Sequence, residues 1–297
     1  MFKAANQSPS FRIHLVRHGE TVANEKGIVL GQIDSPLTHC GIDQAEAANK
    51  AFGNYPFWRK YSSDLPRAQR TARIILGIEK PLRKDDGYDT DKTYSDYDFS
   101  EDGINLHLDS RLRERAKGVR EGQDKSLTYE QAWDKYREAR FRDGLVDESK
   151  WKIPKLENEE EVWERVRDFL EEKLFEAYME FETNQNSDYI SKRRQQGSLH
   201  GVNEFDLLAI THSGTLRIII EKLVGDQLPE NIEREVQDKN GVREGRLKVP
   251  NTSKTVIEFR PCENPENLLK LKLSNRKCLY WEPKLVVLTD IKHLMKR

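Results

Sequence analysis

A short apolar run that ends abruptly in a polar turn is the feature that most constrains the fold of this chain. Residues 13–16 form the run, and Arg17, His18 and Gly19 follow it directly. Such a run predicts a buried strand, and Gly19 permits a sharp bend that presents the two preceding side chains at the carboxyl end of that strand. In open α/β sheets, ligands bind at this edge. A guanidinium beside an imidazole suits an anion, and phosphate is the commonest anion that uses both.

Strand patterns and helix patterns then alternate along the 297-residue chain. Further strand candidates lie at residues 57–61, 104–108, 205–210, 254–259 and 268–273. Helix-period patterns separate several of them, at residues 41–52, 66–76 and 159–181. This alternation predicts an α/β fold with a mainly parallel central sheet that is covered on both faces. We interpret the polar stretches at 79–103 and 183–203 as insertions in one domain that comprises residues 1–297.

Charge and cysteine content limit the classes of partner. The formal net charge is −1, which does not favour nucleic acid or a membrane surface as a partner. No apolar stretch reaches the length of a membrane span, and the first ten residues lack the apolar centre of a secretion signal. The three cysteines, Cys40, Cys262 and Cys278, show neither disulfide nor zinc spacing. We therefore expect a cytoplasmic protein without a nucleic-acid or membrane partner.

Four strand ends carry polar side chains that fit one another chemically. Arg17 and His18 follow the first strand, Arg67 follows the second, Glu114 follows the third and His212 follows the strand at 205–210. In a parallel sheet, all of these strands end at the same edge. Cationic groups that converge there would repel each other unless an anion lay among them. A phosphoryl group, with three oxygens to bind, matches this set of donors.

The residue types also predict a division of roles. We expect His18 to be the nucleophile, because neighbouring cations push its pKa below about 6.5 and leave a neutral ring nitrogen to attack phosphorus. Arg17, Arg67 and His212 would neutralise the phosphoryl oxygens. Glu114 would protonate the leaving alkoxide and then activate water, and a nearby phosphate dianion should raise its pKa. Because arginines carry the electrostatic role, we predict neither a metal nor a cofactor.

These motifs resemble those of the histidine phosphatase superfamily, the phosphoglycerate mutase-like group. The resemblance is carried, in chain order, by Arg17-His18-Gly19-Glu20-Thr21 with Asn24, Ser62-Ser63-Asp64-Leu65 with Arg67, Leu112-Arg113-Glu114, and Thr211-His212-Ser213-Gly214. Residues 31–37, 111–115 and 118–122 make the chain most similar to the TIGAR-type and fructose-2,6-bisphosphatase-like phosphatases within that group. The resemblance implies a three-layer α/β/α sandwich, phosphorylation of His18 and proton donation by Glu114. The residues expected to contact the substrate or its phosphate are Arg17, Asn24, Gly31, Gln32, Arg67 and Ser213.

Three functional hypotheses follow. The first is a metal-independent phosphatase acting on a small phosphorylated metabolite, for example a sugar bisphosphate. The second is a mutase that returns the phosphoryl group to another hydroxyl. Ala23 and Lys117 disfavour it, since they replace aromatic residues that the true mutases carry. The third is a phosphoprotein-binding or scaffold protein with the same fold, and the sequence does not identify a protein partner.

Overall fold

The computed structural model describes most of the chain. The described residues are 10–52, 55–79, 105–184, 205–229, 234–235, 246–262, 269–272 and 278–294. The predicted insertions at 79–103 and 183–203 lie almost entirely outside these ranges. The assignment of residues 1–297 to one domain, with those insertions, therefore stays a prediction.

Nine strands and six α-helices make up the regular structure of the described residues. The strands are β1 (Phe11–Arg17), β2 (Arg59–Ser62), β3 (Leu106–Leu108), β4 (Phe205–Thr211), β5 (Arg234–Glu235), β6 (Arg246–Leu247), β7 (Lys254–Cys262), β8 (Leu269–Lys272) and β9 (Cys278–Asp290). The helices are α1 (Val22–Glu25), α2 (His39–Phe52), α3 (Pro66–Ile75), α4 (Tyr129–Arg142), α5 (Glu159–Asn184) and α6 (Ser213–Val224). Most predicted elements are present within a few residues of their predicted bounds.

A seven-stranded sheet with the order β3-β2-β4-β1-β7-β9-β8 forms the centre of the fold. The four strands from β3 to β1 pair in parallel, whereas β7, β9 and β8 pair antiparallel to their neighbours. The α/β prediction is confirmed, and every strand whose end was predicted to carry a site residue lies in the parallel half. The sequence pattern did not predict β9. Pro283 lies within this strand, and a proline in an apolar run argues against a strand.

Helices cover both faces of the sheet. On one face, Ile13 and Leu15 of β1 belong to a buried cluster with the apolar residues of α5 and α6. On the other face, Val16 belongs to a cluster with residues of α2 and α3. β1 is thus buried on both sides, although Arg12 and His14 interrupt its apolar sequence on the face that they share with Val16. The three-layer α/β/α sandwich implied by the sequence motifs is therefore confirmed.

Local signals place the helix starts next to the strand ends. The Thr38 hydroxyl accepts a hydrogen bond of 2.9 Å from the amide of Gly41 and so caps α2. Pro66 is the first residue of α3, a position where its missing N–H costs nothing. Across the described ranges, none of the helices combines the length and apolar character needed to cross a bilayer. The cytoplasmic location stays a prediction.

Candidate active site

The turn after β1 holds His18 between two other elements of the sheet edge. The His18 amide donates to the carbonyl of Thr211 at the end of β4, at 3.0 Å. The next amide, of Gly19, donates to the Thr71 hydroxyl of α3, also at 3.0 Å. Gly19 lies against α2 so closely that a Cβ there would be 2.5 Å from the carbonyl oxygen of Gly41. A residue without a side chain is therefore required after His18.

The His18 imidazole has the tautomer and the charge state that a nucleophile needs. Its Nδ1 lies 2.7 Å from the carbonyl oxygen of Gly19, so Nδ1 donates its proton there and Nε2 keeps its lone pair. Burial, followed by the positive charges of Arg67 and Arg17, lowers the pKa of His18 well below its ordinary value. The sequence had predicted the cations as the cause, whereas burial is the larger one. The ring centroid lies 5.0 Å from that of His212.

His212 lies directly before α6 and is fully buried. Its Nε2 is 2.9 Å from the Ser63 hydroxyl oxygen. Burial and the nearby Arg67 lower the pKa of His212 well below its ordinary value, so the ring is neutral at neutral pH. It can therefore offer a phosphoryl oxygen a hydrogen bond, but not the positive charge that we expected from the sequence. Ser213, the first residue of α6, follows it and is half-buried.

Two arginines are fixed by loop carbonyls close to these histidines. Arg67 is 1% exposed and donates to the carbonyls of Gly31 (2.7 Å) and Ile33 (2.8 Å). Burial lowers the pKa of Arg67 to about 10, which leaves the guanidinium charged at neutral pH. Arg17 donates to the carbonyl of Val249 at 2.6 Å. Both cations are thus held in place by the protein itself, which is the arrangement that electrostatic preorganisation requires.

Glu114 joins the same edge of the sheet through α6. One carboxylate oxygen accepts from the amide of Arg115 (2.7 Å) and the other from the amide of Gly214 in the first turn of α6 (3.0 Å). Burial acts to raise the pKa of Glu114, but Lys117 and the two amides outweigh it, and the pKa is lowered. The expected rise was attributed to a phosphate dianion, so it stays a prediction. A rise requires the charge of a phosphate dianion to be added.

Three residues that were predicted to contact the phosphate, Asn24, Gly31 and Gln32, lie in or next to the loop after α1. Asn24 accepts from the amide of Thr21 at 3.3 Å, and the Thr21 hydroxyl accepts from the amide of Asn24 at 3.2 Å, which forms a capping box at α1. Gln32 donates from its side chain to the carbonyl of Glu114 at 3.1 Å. Together with Gly31, which accepts from Arg67, Gln32 therefore connects the loop after α1 to the general acid candidate.

Glu157 stabilises the loop that contains Glu114. It was not among the predicted site residues. Its side chain is 4% exposed and accepts from the amide of Ala116 at 2.9 Å. Arg165 of α5 pairs with it at 3.2 Å and also donates to the carbonyls of Arg111 (2.5 Å) and Glu114 (3.3 Å). This network ties the backbone on both sides of Glu114 to the long helix.

Two further acidic residues hold the loops together. Glu121 accepts from the amides of Gln32 (3.0 Å) and Lys117 (2.8 Å) with one carboxylate oxygen. Asp64 forms a bidentate pair with Arg113, at 2.7 and 2.6 Å. Asp64 and Glu121 lie within the motifs that carry the family resemblance, but the local pattern did not indicate which groups these carboxylates bind. In the described ranges, no cluster of three or more His, Cys, Asp or Glu is placed to hold a metal ion.

Comparison with known proteins assigns part of this chain to a family. Residues 13–89 match the family model described as "Histidine phosphatase superfamily (branch 1)". This segment belongs to the histidine phosphatase superfamily. The resemblance drawn from the sequence motifs is thereby confirmed. The histidine phosphatase segment contains Arg17, His18 and Arg67, while Glu114 and His212 lie beyond it.

Relatives of this chain include named phosphatases. The chain is 38% identical to the fructose-2,6-bisphosphatase TIGAR of Mus musculus over 115 residues, which are 38% of this chain and 36% of that protein. It is 46% identical to the adenosylcobalamin/alpha-ribazole phosphatase of Salmonella typhimurium over 65 residues, 22% of this chain and 32% of that one. These matches thus span well under two thirds of the relatives' own lengths. A solved structure of mycobacterial glucosyl-3-phosphoglycerate phosphatase aligns with a TM-score of 0.49 at 20% identity, over 94% of this chain and 98% of that one.

Proposed function

We propose that this chain is a phosphatase that hydrolyses a phosphomonoester of a small metabolite, without a metal ion, through a phosphohistidine formed on His18. The observation that supports this most strongly is the state of the His18 ring. Its Nδ1 is committed to the carbonyl of Gly19, its pKa is lowered by burial and by two arginines, and its other nitrogen therefore keeps a lone pair at neutral pH. Such a nitrogen is an activated nucleophile.

In the first half of the reaction, Nε2 of His18 forms a bond to phosphorus and the ester P–O bond breaks. Arg17 and Arg67 stabilise the charge on the phosphoryl oxygens, since both guanidinium groups are held by backbone carbonyls. Neutral His212 donates a hydrogen bond to the same oxygens. The departing alkoxide takes a proton from Glu114.

In the second half, the Glu114 carboxylate takes a proton from water, the resulting nucleophile attacks phosphorus and the N–P bond breaks. Free phosphate leaves, and Glu114 is again protonated. The lowered pKa of Glu114 keeps its carboxylate ionised, and so able to accept a proton, before this step. The acid step depends on the phosphate dianion, which raises that pKa once the substrate is bound.

The substrate class is a small phosphorylated metabolite. The named relatives act, according to their names, on fructose 2,6-bisphosphate and on an alpha-ribazole compound, and both are small phosphate esters. A sugar bisphosphate is one candidate that follows from the first of them. Lys117, in the loop after Glu114, adds a positive charge near the general acid, which is consistent with an anionic substrate.

The nucleophile assignment is tested by trapping the intermediate. We expect acid-labile, alkali-stable label on the protein after brief mixing with a 32P-labelled phosphate ester, and hydrolysis of p-nitrophenyl phosphate at steady state. His18→Ala should abolish the label and lower kcat by about 10³-fold or more. His14→Ala is the matched control, because His14 is a buried histidine of the strand that leads into His18, with 7% exposure against 4% for His18. Normal turnover by His18→Ala would refute the proposal.

The same preparation separates the alternatives. Incubation with 3-phosphoglycerate should release inorganic phosphate, whereas isomerisation to 2-phosphoglycerate would favour the mutase hypothesis. A scaffold protein would show neither reaction with any member of a panel of sugar phosphates, phosphoglycerates and phosphopeptides. Turnover should be unchanged by EDTA, and a large loss with EDTA would contradict the metal-independent mechanism.

A further inference from the structure

Residues 249–253 contact the strand end that carries the candidate nucleophile, although they lie more than 230 positions away in the sequence. The carbonyl of Ser253 accepts from the amide of Arg17 at 3.3 Å. The amide of Thr252 donates to the carbonyl of Arg17 at 3.0 Å and, at 3.4 Å, to that of His18. The carbonyl of Val249 accepts from the Arg17 side chain. This turn therefore determines where the backbone of the first strand ends.

The conformation of the turn is unusual for its residues. Thr252 has a φ of +53° and is fully buried. β-Branched residues rarely adopt this left-handed conformation, and residues that do so persist only where the surrounding structure over-determines them. Here, the bonds from Thr252 to the Arg17–His18 backbone supply that constraint.

Asn251 connects this turn to two groups of the candidate site. Its side-chain Nδ2 donates to the carbonyl of His18 at 3.0 Å, and it makes a longer contact of 3.5 Å with the side-chain oxygen of Asn24. The opposite orientation of the amide would place its oxygen against two other oxygens, so these two acceptors fix which way the Asn251 amide faces.

The contact from Asn251 also orients Asn24. The side-chain oxygen of Asn24 already accepts from the amide of Thr21, and Asn251 approaches it from another direction. Both neighbours are donors, so the carbonyl end of the Asn24 amide must face them and its NH₂ group must face elsewhere. An NH₂ group can bind a phosphoryl oxygen, whereas the carbonyl end would repel it.

We propose that Asn251 is a positioning residue, which holds the His18 backbone in place and turns the donor end of Asn24 toward the phosphate. This inference rests on the proposed function, because it names the partner that Asn24 binds. A displacement of about 1 Å in a reacting group can cost about 10²-fold in rate. Loss of Asn251 should therefore lower the catalytic rate strongly. It should lower the stability of the fold only slightly, because only one strong hydrogen bond is lost.

The test compares Asn251→Ala with Asn49→Ala. Asn49 is a matched control, because it is also half-buried and donates from Nδ2 to one backbone carbonyl, that of Ile75, at 2.8 Å. With p-nitrophenyl phosphate, Asn251→Ala should lower kcat/KM by about 10- to 100-fold, through both a lower kcat and a higher KM. Asn49→Ala should remain within about two-fold of the unaltered chain, while both variants lower Tm by similar amounts. Asn251→Asp keeps the shape but replaces the donor with an acceptor, and it should be at least as impaired as Asn251→Ala.

A double-variant cycle shows whether Asn251 acts through Asn24. If it does, Asn251→Ala should cost several-fold less when Asn24 is already alanine, because the oriented group is gone. Effects that multiply fully in the double variant would overturn the role assigned through Asn24. Activity of both Asn251 variants within two-fold of the unaltered chain would overturn the inference as a whole. If Asn251→Ala does not fold, Asn251→Asp carries the same comparison.

Binding of orthovanadate, a phosphate-like anion, separates this inference from the proposed function. Orthovanadate should raise the Tm of the unaltered chain and of Asn49→Ala, and it should raise that of Asn251→Ala much less. A shift of equal size in Asn251→Ala would overturn the inference alone, even if no ester is turned over. No shift and no turnover in the unaltered chain would overturn the proposed function and this inference together.

Discussion

Replacement of Arg165 by methionine should destabilise the fold and displace the general acid candidate. The side chain of Arg165 is 18% exposed and pairs with Glu157, whose side chain is 4% exposed. The carboxylate of Glu157 would keep the Ala116 amide (2.9 Å) and Lys155 (3.3 Å). Lys155 is 65% exposed, so solvent screens it and it replaces little of the lost charge.

The size of the effect follows from this geometry. Removing one partner of a buried ion pair lowers the free energy of unfolding by about 3–5 kcal/mol. Because Arg165 is partly exposed, we expect the lower end of this range, about 3 kcal/mol. With about 2–4 °C per kcal/mol for a chain of this size class, Tm should fall by roughly 6–12 °C. Because Arg165 also donates to the carbonyls of Arg111 and Glu114, kcat/KM with p-nitrophenyl phosphate should fall by about 10-fold or more.

Urea unfolding and thermal unfolding measure the stability change, and Arg167→Met is the matched control. Arg167 lies on the same helix, is 41% exposed and pairs with Glu171 at 3.8 Å, so its loss should cost less than about 0.5 kcal/mol. Glu157→Gln in the Arg165→Met background should recover about 1–2 kcal/mol relative to additivity, because no uncompensated charge remains buried. An Arg165→Met variant that is no less stable than Arg167→Met would refute the reasoning.

Two further perturbations test the loop and the histidines. Gly31 has a φ of +55°, and Gly31→Ala places a Cβ 2.1 Å from a Glu121 oxygen, so this variant should lower the free energy of unfolding by about 2–3 kcal/mol. Gly144 has a φ of +78° but open space around it, so Gly144→Ala should lower the free energy of unfolding by about 1 kcal/mol. Equal urea midpoints for these two variants would contradict this account. The folded-state pKa of His18 and of His212 lies below the unfolded value of about 6.5, so the unfolded chain binds protons first. The free energy of unfolding should therefore fall as the pH is lowered through about 6.5. It should fall less steeply in His18→Ala than in the unaltered chain. Equal slopes for the two proteins would be inconsistent with a buried neutral ring at His18.

The sequence by itself determined the class of fold and the residues of the candidate site. Alternating strand and helix patterns predicted the α/β sandwich, because hydrophobic periodicity is written into neighbouring residues. Arg17, His18, Arg67 and His212 could be grouped before any coordinates, since parallel strands end at one edge of a sheet. Each of these predictions depends on short-range pattern plus one general rule of topology.

Only the tertiary structure decided how those residues are held and charged. Glu157 binds the loop that contains Glu114, and Asn251 binds the carbonyl of His18. Both contacts join positions far apart in the chain, so no local sequence pattern predicts them. Burial acts to raise the pKa of Glu114, but the charge of Lys117 and the amide of Gly214, a hundred residues away, lower it. A hydrogen bond or a charge acts through space, so its partners become known only once the chain has folded.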